Sequence, residues 1–252
     1  TLRKLYWGLT FCMLGIIAPV SLQAQMQVSG IPQTILGAPQ SYAAMIQQLF
    51  GAGIQISNVQ IGCDTANLQA GWFTATGTNL GLGQGMLLTS GDILGAVGPN
   101  VQTGYTGAVT TGLGDADLTA VAGIATFDAC YIEFDIIPFC DTIGIQYVFA
   151  SDEYVEFSQV GGTAGINDAF AFLISGPNPA GGNYINTNIA LVPTQVIPVT
   201  INNINCALNG QYYICNDVNS VGGFGAVTCP AAVCPTNNAT TTIEYDGFTT
   251  TL

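Results

Sequence analysis

The clearest pattern in the chain is a period-two alternation at residues 131–137. Ile132, Phe134 and Ile136 point one way, and Tyr131, Glu133 and Asp135 the other, as in an antiparallel strand with one face on a core and one in water. A turn at 138–142 is followed by Ile143, Ile145, Tyr147 and Phe149 on one face of a second strand ending at Ala150, and by Phe170, Phe172 and Ile174 in a third over 169–174. Shorter runs at 54–61, 71–76 and 85–89 also read as strands, with Ser57-Asn58 interrupting the first as a bulge. Further strands are expected at 189–192, 195–201, 211–214 and 241–245. Helical spacing occurs once, where Tyr42, Met45, Ile46, Leu49 and Phe50 recur behind a potential Ser41 cap and ahead of Gly51 and Gly53. Many short strands between Gly, Pro and Asn turns predict an all-β fold, an antiparallel β-sandwich of jelly-roll type with one short N-terminal α-helix. The glycine-rich stretch 95–114 suits a surface loop.

Composition changes that picture in one respect. The chain has fifteen acidic residues, no His and only two basic ones, Arg3 and Lys4, for a formal charge of −13. Nucleic-acid binding and attachment to anionic lipid both need Lys or Arg, so both are excluded. Arg3 and Lys4 open a run that continues with apolar residues 5–20 and the small-residue exit SLQA at 21–24. That order predicts a signal peptide over residues 1–24, a single mature domain over 25–252 and a secreted or cell-surface location. The apolar run, broken by Gly15 and Pro19, is short for a membrane span, and no membrane insertion of the mature domain is expected. Losing the leader removes both basic side chains and leaves all fifteen acidic ones. The chain opens on Thr and stops inside a strand-like run at Thr250, Thr251 and Leu252, so the natural protein is expected to continue past Leu252.

Seven cysteines follow the leader. In an oxidising compartment their spacing favours Cys206 with Cys215 and Cys229 with Cys234, leaving one of Cys63, Cys130 and Cys140 over. Zinc is disfavoured by the absence of His and of any CxxC pair.

The densest acidic cluster is Asp152, Glu153 and Glu156 at the end of one predicted strand, with Asn167 and Asp168 at the start of the next. No cationic side chain relieves their repulsion. Solvent, backbone N–H donors, raised pKa values or a bound cation must do so. Ca²⁺ accepts such oxygen ligands in loose geometry, and these five residues are the candidate metal ligands; a solvated acidic loop is the competing reading. Paired carboxylates could also serve a polysaccharide-acting enzyme, whereas Ser/His/Asp and Cys/His catalysis are excluded without His. Trp72, Tyr105, Tyr154, Phe157, Tyr212 and Tyr213 could stack on sugars in a carbohydrate-binding module, although aromatic residues on strands more often pack a core.

Six segments, IQISNV (54–59), GMLLTSG (85–91), YVFASDEY (147–154), NDAFAFLISG (167–176), INNIN (201–205) and EYDGFT (244–249), resemble in order the choice-of-anchor L domain family of secreted and surface proteins of Bacteroidota. Asp152 stands where that family commonly has Glu. The resemblance implies a non-catalytic extracellular module, exported through the type IX system and used in adhesion or extracellular structure, with other surface proteins or glycans as partners.

Overall fold

The computed structural model describes residues 25–30, 34–35, 38–39, 41–100, 105, 107, 112–155, 157–158, 165–216 and 243–252. The signal-peptide expectation and the second half of the glycine-rich stretch thus fall largely outside the described residues. Twelve strands are described: β1 (Gln27–Gly30), β2 (Thr34–Ile35), β3 (Ala38–Pro39), β4 (Ile54–Ile61), β5 (Ala70–Thr74), β6 (Gln84–Leu88), β7 (Ile132–Pro138), β8 (Ala150–Ser151), β9 (Leu173–Pro177), β10 (Asn183–Asn188), β11 (Tyr213–Cys215) and β12 (Gly247–Thr249). Their pairings are all antiparallel, and the fold is all-β, as the alternation predicts.

Two three-stranded sheets, β1–β5–β6 and β11–β12–β8, frame the centre. Phe73 of β5 and Phe248 of β12 belong to one apolar cluster. Val28 of β1 and Leu87 of β6 join it from the first sheet, Ile214 of β11 and Ala150 of β8 from the second. That is the inner layer of a sandwich, filled by alternate residues of both sheets. The outer face of the second sheet is covered as well, by Val192, Val199, Ile201 and Ile204 packing on Tyr213, Tyr154 and Phe149. All three residues of β12 are consequently buried. Gly247 is required there, because a Cβ would lie 2.6 Å from the Tyr213 ring and 2.7 Å from that of Tyr154.

The helix α1 (Tyr42–Phe50) forms where its spacing predicts. Ser41 Oγ accepts from the Ala44 N–H at 3.2 Å, Met45 and Ile46 are buried, and Gly51 ends it at φ +70°. Phe50 meets Phe134 of β7 edge-on at 5.8 Å. β4 pairs with β7, and the register slips between Ser57 and Gln60 as the bulge requires. Asn58 adopts φ +53° there, and its amide donates to Asp135.

Elsewhere the structure departs from the pattern. A second helix, α2 (Ala116–Ala122), follows the glycine-rich stretch; Asp115 caps it by accepting from Asp117 and Leu118 N–H, and Gly123 closes it in the left-handed region. The strand expected over 143–150 enters a ladder only at β8. Thr249 N–H donates to Phe149 O and Leu252 N–H to Tyr147 O, so three residues on one side face two on the other, a bulge that breaks regular pairing. The strands expected at 189–192 and 195–201 reduce to the bridges Leu191–Pro198 and Ala169–Thr200. Pro198 supplies no N–H there, and Thr194 turns the chain at φ +66°. Of the run 241–245, Ile243 only bridges Val97, and pairing begins at Gly247 instead.

Cys63 and Cys130 are bonded to each other (Cα–Cα 4.2 Å), and Cys140 is the thiol left over, exposed beyond β7. Cys206 and Cys215 are both in disulfides, while Cys229 and Cys234 lie outside the described residues. No helix among the described residues is long and apolar enough to cross a membrane.

Candidate functional site

The candidate cluster grows from the end of β8. Ser151 is buried, and its hydroxyl donates to Asp168 Oδ2 at 2.7 Å while accepting from the Glu153 N–H at 2.9 Å. This double role turns the chain sharply at Asp152 and Glu153 and ties that turn to the segment before Ala169. Tyr154 then plunges into the core, fully buried, and its hydroxyl donates to Ile204 O at 2.6 Å. Its ring lies 4.6 Å from that of Tyr213.

Four of the five expected metal ligands fall within the described residues. Asn167 is spent on main chain: its amide donates to Ala122 O at the C-terminus of α2, at 2.7 Å, and its carbonyl accepts from the Asn202 N–H. Asp168 retains exposed surface, but its carboxyl turns to Ser151; burial raises its pKa and the Ser151 bond partly offsets that. Asp152 and Glu153 share the turn. Glu156 lies outside the described residues. Among the described residues, no group of three or more Cys, Asp or Glu side chains is placed to hold a metal ion.

What Asp152 meets instead is a pair of acids that spacing along the chain does not reveal. Glu244 is 4% exposed and Asp246 is fully buried. β8 and β12 pair Phe248 with Ala150 and Gly247 with Ser151, so the next facing positions are Asp246 and Asp152. Burial, followed by the charges of Asp246 and Glu244, raises the Asp152 carboxyl to about 8, against the pull of the Asp246 N–H that donates to it. One Asp152 oxygen, Oδ1, is buried and meets no hydrogen-bond donor. Asp246 Oδ1 accepts from the Asn100 amide at 2.7 Å. Beside Asp152 lies a cavity of about 50 Å³ lined by Thr89, Ser90, Asp92, Tyr105 and Tyr245. It holds room for a few waters at most.

The aromatic residues that could stack on sugars differ in exposure. Trp72, Tyr154 and Tyr213 are buried, and Tyr105, Phe157 and Tyr212 are half-buried.

The sequence profile of the choice-of-anchor L domain matches residues 36–252, nearly the whole chain. The chain belongs to the choice-of-anchor L domain family. No curated protein and no solved structure matches it. Within this choice-of-anchor L domain, the YVFASDEY and EYDGFT segments that carry the resemblance run side by side as β8 and β12 with their flanking turns. The segment NDAFAFLISG joins them through the bond between Ser151 and Asp168.

Proposed function

We propose that this domain is a non-catalytic module displayed outside the cell, where it serves adhesion or an extracellular structure by contacting other surface proteins or glycans. The observation that carries the reading is the family match over 36–252. The Cys63–Cys130 disulfide supports it, since such bonds persist in oxidising surroundings. The test is surface shaving of intact cells with proteinase K, followed by immunoblotting for the domain. Loss of the signal without lysis is expected; a signal that survives until the cells are broken would overturn the location. Attachment is tested separately, by comparing adhesion of cells with and without the domain.

A structural Ca²⁺ near Asp152 is the second reading, favoured by the buried Asp152 Oδ1 that no donor meets. Asp152 and Glu153 of the turn would carry it, with Asp168 bonded to Ser151 and Asn167 withdrawn to the main chain, so waters or main-chain carbonyls would complete the shell. A melting midpoint that falls in EDTA and recovers in excess Ca²⁺ would support this reading, and an unchanged midpoint removes it.

A further inference from the structure

Strand pairing leaves β7 with one open edge. The Phe139 N–H donates to Gly53 O and the Gly62 N–H to Tyr131 O, so the odd-numbered residues of 131–139 present their main-chain groups to β4. In an antiparallel pair the residues between them turn theirs the other way. The N–H and C=O of Ile132, Phe134 and Ile136 therefore point away from β4, and β7 has no second strand partner among the described residues. The opposite edge of this ribbon is covered: the outward Ile54 carbonyl of β4 accepts from the Gln47 amide of α1 at 3.1 Å.

The side chains beside the open edge are exposed as well. Tyr131, Glu133, Asp135, Ile137 and Phe139 share one face, and all of them are exposed, Ile137 at 56% and Phe139 at 66%. An edge guarded only against aggregation carries charge and little apolar surface; this one carries both. The charges also select what can pair. Were two copies to join through Ile132, Phe134 and Ile136, Glu133 of each copy would face Asp135 of the other, and like charges at facing positions repel. The chain has no Lys, Arg or His after Lys4 to relieve them. A strand from a different protein, with Lys or Arg at those two positions and apolar residues at the flanking ones, gains where a second copy loses.

We propose that the open edge of β7 takes up an extended, Lys- or Arg-bearing segment of a partner protein as an added strand. Main-chain bonds to Ile132, Phe134 and Ile136 supply the pairing, Glu133 and Asp135 select the basic residues, and Tyr131, Ile137 and Phe139 receive apolar ones. Such a partner is one of the surface proteins invoked above, so the assignment rests on that reading. Binding is measured on purified protein, and its failure is therefore distinct from a failure of the shaving or adhesion experiments.

The probe is the peptide VTVTKTKTV, whose lysines fall opposite Glu133 and Asp135 when it lies antiparallel to β7. Titrated into the full chain, it should bind and slow hydrogen exchange at the amides of Ile132, Phe134 and Ile136. The same peptide with Glu for Lys should not bind. Nor should one whose Thr amides are methylated, which keeps the charge and blocks the pairing. Glu133→Lys combined with Asp135→Lys should weaken binding about tenfold, whereas Asp117→Lys on α2 should bind as wild type does. Asp135 accepts from the Asn58 amide; if the double variant does not fold, Ile136→Pro is the second, which removes an outward N–H and should also weaken binding. Absence of binding would overturn the proposal. So would equal binding of the methylated peptide, or of the wild-type peptide to the folded variant, since diffuse attraction to an acidic surface would then account for it. A dimer of the chain alone that Ile136→Pro dissolves would also overturn it, because a second copy would then occupy the edge.

Discussion

Gln69 illustrates how much single side chains carry in a chain with few charges. It is buried, its amide nitrogen donates to Ser90 O and Asp128 O at 2.9 and 3.0 Å, and its carbonyl accepts from the Asp64 N–H at 2.7 Å. Three loops are held by one residue. Gln69→Met keeps the shape and strands three main-chain groups, so a loss of about 2–4 kcal/mol is expected in urea unfolding. Cys140 is the opposite case, exposed and held by no disulfide. Alkylation of the native protein followed by peptide mapping should mark Cys140, whereas Cys63 and Cys130 should become reactive only after reduction.

Among the elements, legibility in the sequence tracks local completeness. α1 and β4 carry their own signals, a Ser cap and an alternation, and the structure reproduces both. β12 carries none. Gly247, Phe248 and Thr249 are buried on both faces between β11 and β8, so there is no alternation to read. β10, with the sequence NYINTN, is too polar to look like a strand, and pairs because β9 lies beside it. The same limit governs the site. Asp152, Glu153 and Asp168 were visible as an acidic run, but Glu244 and Asp246 reach Asp152 only through the β8–β12 register, a contact across more than ninety residues. That Asn167 donates to Ala122 O at the end of α2 is likewise invisible in the sequence pattern. Two predictions belong here. Gly247→Ala would force a methyl into the Tyr154 and Tyr213 rings, at a cost of about 1–3 kcal/mol in unfolding free energy. Replacing Cys63 and Cys130 together by Ser releases a loop of 67 residues, for which chain entropy predicts a loss of about 4 kcal/mol.

For the whole molecule the dominant fact is charge of one sign. The chain carries fifteen acidic side chains against two basic ones, Arg3 and Lys4, so like charges repel with little to offset them. Raising NaCl from about 0.01 to about 0.15 M shortens the screening length from about 30 to about 8 Å, and the thermal midpoint should rise. The same composition denies trypsin a cleavage site after Lys4. Residues 5–252 should survive trypsin intact even in urea, as mass spectrometry would show, whereas chymotrypsin should cut the unfolded chain.

The position of β12 also fixes an order of events during synthesis. Its partners β8 and β11 are made first but do not touch each other in the sheet, because the strand between them follows both in the chain. Until residue 249 emerges from the ribosome, that sheet has a gap at its centre and both apolar layers beside it stay open. That sheet therefore closes only once β12 is available, and any helper protein that shields it must stay bound until then.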